Sequence, residues 1–478
     1  MTNGKENRSE RTLVSINRRT FFQVTALLAA LLIFAIALTF IVPRGDFGTL
    51  PDGSPDYAQY IPRPDKSGIA LWRGLLAPVL VFFSADGLTL FMLSLFLFII
   101  SAAFQVMNDV GGVDALVGAV SDRFRSRKKL LLALISFLFY CFGSFLGLFE
   151  EMLTMLPIAA ALCVLLGYDS FTGFLCSIIA CGFGFAGAVT NPFTVLLASQ
   201  IIGVNPMEHI WMRVLIFLVM FGLLMGYLFH YVRRLERDPD RSFTKAHDAL
   251  LRAGEQKEKG SQNTKQRVRR IYAVFLLFAL ALIIVSSLSD ALRDYSVPIL
   301  IAYFLIFGIA AGIFACGSVK TVLRSFGRGI LGALPTLVFI ALAASVKYVF
   351  DEGGIMPTIV SQVNLLAEGR SAFGVAVAVY LIVLLLEFFI SSSTAKAILV
   401  MGLLSVVNIG LSKPLLVLLY TFGDGYTNVL FPTSPVLLIS LSMIQVDYFT
   451  WIKKSAWLFL LNFALVLGFI WLAVAVHY

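Results

Sequence analysis

Residues 182–194 read Gly-Phe-Gly-Phe-Ala-Gly-Ala-Val-Thr-Asn-Pro-Phe-Thr, in the middle of an apolar run, 172–202, that is long enough to cross a bilayer. Gly182, Gly184, Gly187 and the pair Asn191-Pro192 crowd into one short stretch of it. Glycine weakens a helix; proline removes a backbone donor and clashes with the preceding turn. The run therefore reads as a helix broken in its middle. Broken backbone at membrane depth leaves N–H and C=O groups unpaired, so it survives only where protein or a watery cavity surrounds it. A second run, 413–446, has the same character: residues 423–434 read Gly-Asp-Gly-Tyr-Thr-Asn-Val-Leu-Phe-Pro-Thr-Ser.

Composition agrees with a membrane setting. Of the 478 residues, 59% are hydrophobic and 14% charged, and the mean hydropathy is +0.89. A soluble domain averages about 45–50% apolar and about 25% charged. A soluble enzyme is excluded on that ground. The net charge of +9 is localised. Residues 1–20 hold five basic and two acidic residues, residues 233–270 hold twelve and six, and the remainder balances. Two short basic segments follow the positive-inside rule and are no footprint for nucleic acid. The five cysteines form no CxxC pair and the four histidines are scattered. No cofactor and no tightly held metal is expected.

Working outward gives a topology. Residues 1–20 are a cytoplasmic tail. Arg18-Arg19 superficially matches an export signal, but the apolar run after it, about 21–42, is too long for one and reads as the first span. A polar external loop, 44–77, leads to a span near 87–107 and an interfacial piece at 111–122. The cluster Arg123, Arg125, Arg127, Lys128 and Lys129 marks the cytoplasm. Segment 130–168 is interrupted by Gly143, Gly147, Glu150, Glu151 and Pro157. Its second arm is too short to cross about 30 Å of hydrocarbon, so it reads as a re-entrant hairpin. Two ordinary short spans would give the same parity. The broken helix 172–202 and a span at 210–232 close the first half, 21–232. Residues 233–270 read as a flexible cytoplasmic linker. The second half, 271–478, holds spans near 271–288 and 297–316, a basic loop at Lys320, Arg324 and Arg328, and a span at 330–350. An interfacial stretch 354–368, a hairpin 371–410, the broken helix 413–446 and a last span 455–476 complete it.

The halves repeat. The span at 87 corresponds to that at 330, Glu150-Glu151 to Ser392-Ser393, and Gly182/Gly184 to Gly423/Gly425. Units 87–232 and 330–478 have opposite orientations, because one span precedes the first and two more precede the second. The expected fold is an all-α polytopic membrane protein with an inverted repeat, two re-entrant hairpins and two broken helices. The N-terminus is expected in the cytoplasm and the C-terminus outside. In secondary transporters of this build the solute sits near the midplane where the breaks meet.

The first hairpin tip carries Glu150, Glu151 and Thr154. Each ionised carboxylate there costs about 2.5–3.5 kcal/mol on insertion scales. They bind a coupling cation, a proton or a cationic substrate, or else form a structural ion pair or a helix cap. The second tip offers Ser391, Ser392, Ser393 and Thr394, followed by Lys396. Four hydroxyls suit a carboxylate or cation cradle. Lys396 could meet an anion, pair with Glu387, or snorkel. At the breaks, Thr190, Asn191, Pro192 and Thr194 face Asp424, Thr427, Asn428, Thr433 and Ser434 as candidate ligands, with Pro432 joining the glycines as a helix breaker. Tight helix packing is the alternative explanation for the small residues. Trp211 and Arg213 read as interface anchors or a gate.

These residues carry a family resemblance. The runs GLFEEMLTMLP, GFGFAGAVTNPFTV, SSSTAKAILVM and FGDGYTNVLFPTS resemble the YfcC family of the DcuC-like carriers, in the broad ion transporter superfamily. The resemblance implies a scaffold and a moving transport domain, often in a homodimer, with opposed hairpins and elevator-type motion. Related families carry dicarboxylates or amino acids with sodium, with protons or by exchange. Ser391 to Ala395 departs from the family's Pro- and Gly-rich second tip, and Pro435 stands where the family has glycine.

The expected function is secondary transport of a small carboxylate-bearing metabolite across the inner membrane. Amino acids, dicarboxylates and arginine/ornithine-like exchange are all open. Sodium, at the hairpin tips and breaks, or a proton is the expected coupling ion. The expected partners are this small-molecule substrate, membrane lipid and a second copy of the chain, with no nucleic acid. A passive channel is the less favoured alternative. Hydrolysis would need a Ser/His, paired-Asp or zinc constellation, and the chain has no HExxH and no GxxxxGK[ST].

Overall fold

The computed structural model describes residues 18–50, 55–63, 68–124, 126–245, 248–249, 262–289, 291–292, 295–359, 371–390, 392–406 and 410–478. Among them nine helices are long and apolar enough to cross a membrane. In chain order the helices are α1 (Arg18–Ile41), α2 (Gly87–Asp109), α3 (Gly112–Phe124), α4 (Lys128–Cys141) and α5 (Leu156–Leu165). Then come α6 (Ser170–Ala186), α7 (Pro192–Ile202) and α8 (Ile210–Arg237). The second half holds α9 (Gln262–Leu288), α10 (Ser296–Cys316), α11 (Val319–Gly353), α12 (Ala372–Phe389), α13 (Ser393–Val406), α14 (Lys413–Asp424), α15 (Pro435–Met443) and α16 (Tyr448–Ala475).

Two packed groups emerge. In the first, α2 lies against α10 and α11, α1 lies along α11, and α9 leans on α10 and α3. In the second, α4 and α5 pack on α6, α12 packs on α14, and α7 touches α13 and α14, while α8 and α16 flank them. The groups meet along an apolar seam of Leu97, Ile100, Phe104 and Leu153 together with Ala333 and Ile439. Deep burial of aromatic rings such as Phe183, Tyr380, Tyr420 and Trp451 marks the second group's core.

Three features depart from the sequence reading. The external loop is not wholly irregular: β1 (Gly45–Thr49) pairs antiparallel with β2 (Pro55–Pro62). This small hairpin is tied to the end of α11 by Gly45 N–H to Gly354 O (3.0 Å), and the helical turn Leu71–Leu75 that follows it is tied there by Arg73 with Glu352 (2.6 Å). Second, Lys320, Arg324 and Arg328 are not in a loop but in the first turns of α11, whose N-terminus Ser318 caps by accepting from Thr321 N (3.3 Å). Arg328 turns inward to Asp109 of α2 at 2.8 Å.

Third, the linker is shorter than 233–270. α8 continues to Arg237 and α9 begins at Gln262. The piece between them is docked where it is described. Asp169 accepts from Thr172 N (2.8 Å), Tyr231 (2.5 Å) and Ser242 (2.8 Å). Asp248, buried, accepts from Thr244 (2.6 Å) and from both N–H and hydroxyl of Ser170. Burial raises the Asp248 carboxyl above the usual carboxylate range, against the lowering effect of those hydrogen bonds. Residues 250–261 of the linker and 360–368 of the interfacial stretch lie outside the described residues.

Candidate functional site

The first break is built from the hairpin upward. α4 runs into one wide turn, Phe142–Leu146, and stops at Gly147, whose φ of +67° suits glycine. A single tight turn, Glu151–Thr154, then leads into α5, which starts with Pro157 in its first turn. α6 ends at Ala186, and the freed groups of residues 187–190 are stitched to Ser144. Its hydroxyl donates to Gly187 O (2.8 Å) and accepts from Val189 N (3.1 Å), and its carbonyl accepts from Thr190 N (3.3 Å). Asn191 caps α7: Oδ1 accepts from Phe193 N (2.9 Å) and Thr194 N (3.2 Å). Its Nδ2 donates back to Gly143 O at 2.9 Å.

Around this frame lie the predicted polar groups of the first half. Glu151 is 8% exposed and Glu150 half-buried. Among the described residues no cationic side chain pairs with either. Thr154 and Thr194 are fully buried, and their hydroxyl oxygens have no hydrogen-bond partner among the described residues.

The second break has a different content. α12 ends at Phe389 and α13 starts at Ser393; Ser391 lies outside the described residues. Ser392, which precedes α13, and Thr394, in its first turn, are exposed. The half-buried Ser393 donates to Asp424 Oδ2 at 3.0 Å. Lys396, one turn into α13, has no exposure. Its ammonium sits 2.8 Å from Asp424 Oδ1 and directly against Glu387 of α12. Of the three roles open to Lys396, pairing is the one seen, and Asp424 joins Glu387 in it.

Past Asp424, the turn Tyr426–Val429 replaces the helix. Thr427 donates to Gly423 O (2.9 Å), and Asn428 Nδ2 donates to Asp424 O (2.8 Å) and Gly425 O (3.2 Å). Trp451 and Tyr448 of α16 satisfy Val429 O and Leu430 O, both at 2.9 Å. Pro432 and Thr433 lie buried in the break, and Ser434 caps α15 by accepting from Leu437 N at 3.4 Å. Both half-helix starts are thus already capped by the chain's own Asn191 and Ser434.

The two breaks touch. A Cβ on Gly182 would come within 2.3 Å of Val429 Cγ1, and one on Gly425 within 2.4 Å of Ala186 Cα. The glycines divide into two kinds. Gly187, Gly425 and Pro432 stand at the interruptions. Gly182, Gly184 and Gly423 do not break their helices; they lie inside α6 and α14. A Cβ on Gly184 would come within 2.2 Å of Tyr140 O, and one on Gly423 within 2.5 Å of Val383 Cγ1, so these glycines permit close backbone approach. Pro192 and Thr190 frame the first break, Pro192 in the first turn of α7.

Sequence reading did not single out Ser144 or Tyr420, whose hydroxyl donates to Ser393 O at 2.5 Å. A lone serine between Gly143 and Phe145 in an apolar helix was the available signal for the first. Nothing local marks the second. Arg213 is buried and donates to Pro206 O in the loop before α8, while Trp211 beside it is exposed.

The family model described as the C4-dicarboxylate anaerobic carrier matches residues 21–477. YfcC of Escherichia coli (strain K12), whose name provisionally describes a basic amino acid antiporter, is 27% identical over 405 residues, covering 80% of this chain and 78% of that protein. An uncharacterized protein of Haemophilus influenzae is 24% identical over 360 residues, or 75% and 70% of the two chains. Among solved structures, MtrF of Neisseria gonorrhoeae, described with a class of antimetabolite efflux pumps, aligns over 94% of both chains at 14% identity with a TM-score of 0.43. The YdaH transporter of Alcanivorax borkumensis aligns over 95% of this chain and 98% of its own at 16% identity, with a TM-score of 0.42.

Proposed function

The chain belongs to the C4-dicarboxylate anaerobic carrier family, and on that premise we propose that it moves a small carboxylate-bearing metabolite across the cytoplasmic membrane, coupled to a cation or by exchange. The observation that carries this is the meeting of two helix interruptions, each backed by a hairpin turn with buried acids. Such an arrangement places main-chain dipoles and polar side chains around one point while helices seal it from lipid.

The hairpins support a re-entrant design. α5 has 10 residues and α13 has 14. As helices they reach roughly 15 and 21 Å, short of the roughly 30 Å hydrocarbon core. Two opposed hairpins and two breaks make an inverted repeat, with the N-terminus in the cytoplasm and the C-terminus outside. The apolar seam between the two packed groups holds no ion pair among its lining residues, so the second group can slide along the first as a unit. The assembly is a homodimer of such pairs.

Amino acid and dicarboxylate are both compatible with the family. Exchange of basic amino acids is the reading favoured by one specific feature: Glu150 and Glu151 lie half-buried and buried with no cation paired to them among the described residues. A guanidinium or ammonium of a substrate would neutralise them, and so would sodium or a proton. The deciding experiment is uptake into proteoliposomes of labelled arginine, ornithine, neutral amino acids and C4-dicarboxylates, with and without sodium and pH gradients and with internal exchange substrate. Stimulated uptake of at least one compound, lost in Glu151→Gln, is the expected result. No uptake of any compound under any gradient, or unimpaired uptake by Glu151→Gln, would sink the assignment.

A further inference from the structure

We propose that the Lys396 ammonium is a tethered cation that fills the ion site of the second half, so that this half takes up no cation from solution. The mechanistic consequence rests on the transport reading above; the geometry does not.

Three chain segments converge on this ammonium. Lys396 comes from the first turn of α13, Glu387 from the last turn of α12, and Asp424 closes α14 at the break. All three side chains are buried, at 0%, 3% and 0% exposure. Ser393 donates to the Asp424 oxygen that Lys396 does not face, which fixes the carboxylate as an acceptor toward the lysine. A hairpin tip, a helix break, a hydroxyl and two carboxylates make a donor set for a small monovalent cation. Here that position is held by the chain's own charge.

The alternatives fit less well. A snorkelling lysine would keep its head in water, and this one has no exposure. An anion receptor would present unpaired positive charge. Lys396 instead sits between two carboxylates, a cluster of net charge −1 that repels a substrate carboxylate. The first half is the contrast: its two acids have no internal cation among the described residues, so an exchangeable cation or cationic substrate group belongs there.

The test uses full-length protein in lipid nanodiscs. Its unfolding midpoint is read in sodium chloride and in choline chloride at equal ionic strength. Lys396→Ala with Glu387→Gln leaves Asp424 as a single carboxylate. The expected result is a saturable, sodium-specific rise of the midpoint beyond any wild-type response, removed by adding Asp424→Asn. A folded double variant whose sodium response equals that of the wild type would overturn the proposal. Should the double variant not fold, Asp424→Asn alone decides. With Lys396 kept, it must leave the wild-type sodium response unchanged, and loss of that response means that sodium occupies the second half. Because the readout needs no turnover, a protein that transports nothing in the uptake panel but shows the sodium gain refutes only the transport reading. Active uptake without the gain refutes only this inference.

Discussion

Around Glu151 and around Asp424 the chain builds similar backbone, a hairpin turn lying against a broken helix, yet the two places settle their charge differently. At Asp424 the carboxylate has a lysine at 2.8 Å, a serine donor at 3.0 Å and a second carboxylate sharing the same ammonium. At Glu151 the side chain is nearly as buried and no cation answers it among the described residues. The backbone is satisfied in both. The first break is held by Asn191 and Ser144, and the second by Thr427, Asn428, Tyr448 and Trp451, although its cap, Ser434, makes one long bond at 3.4 Å. A half whose charge is internally balanced needs nothing from outside. A half with balanced backbone and unbalanced charge is built to receive something.

Charge deletion should separate the halves most strongly. Lys396→Ala leaves two uncompensated buried carboxylates, so a loss of about 3–5 kcal/mol of stability is expected. A markedly lower unfolding midpoint in nanodiscs would register it. Glu151→Gln removes a buried charge that no cationic side chain answers among the described residues, so its midpoint should hold or rise while uptake disappears. Equal destabilisation by both substitutions would erase the distinction between the halves.

Close contact between the breaks gives the next effect. Gly425→Ala drives a methyl against Ala186 Cα, a backbone atom that cannot rotate away. Overpacking of this kind costs about 1–3 kcal/mol. Uptake should fall with it, because the two breaks are pushed apart. Gly468→Ala, with open space around its Cβ, is the matched control in a helix and should cost nothing measurable. Below these comes the capping pair. Asn191→Ala forfeits two accepted bonds and the donation to Gly143 O, for about 2 kcal/mol; Ser434→Ala forfeits one long bond, for about 0.5 kcal/mol. Unfolding midpoints of the two variants give the ranking directly.

Much of this was legible in the sequence, and the reasons are physical. Span length and lysine/arginine placement fix helices with little ambiguity, so α1, α2 and α10 fall where hydropathy puts them, while α16 starts seven residues before the expected span and takes in Lys453 and Lys454. The breaks were legible because Asn191-Pro192 and Pro432 cannot continue a helix. What sequence could not give is the direction of a side chain on a short helix. Ser392 and Thr394 look equivalent to Ser393 in a run of four hydroxyls, yet both are exposed, while the first turn of α13 brings Lys396 inward. Intrahelical glycines also look like breakers until the neighbour is known. Gly184 is needed for Tyr140 O, a residue more than forty positions away. The docking of Asp248 on Ser170 was hidden for the same reason: a polar, charged stretch carries no local sign of a distant partner.

The smallest stability effect tests the first half most directly. Thr154 and Thr194 are buried with hydroxyls that nothing in the described chain satisfies. Replacing an unpaired buried hydroxyl by the isosteric methyl of valine removes a desolvation cost, so Thr154→Val and Thr194→Val should leave the unfolding midpoint unchanged or slightly raised. Ser393→Ala in the second half should do the opposite, costing about 1 kcal/mol, because Asp424 loses its donor. If the threonine hydroxyls face the solute, uptake by the two valine variants should weaken by about tenfold, the equivalent of about 1.4 kcal/mol in binding, without any loss of fold. A raised KM at constant midpoint is the signature to look for. Valine variants that transport like wild type would place the solute elsewhere and leave these hydroxyls as a cost that the first half bears for some other reason.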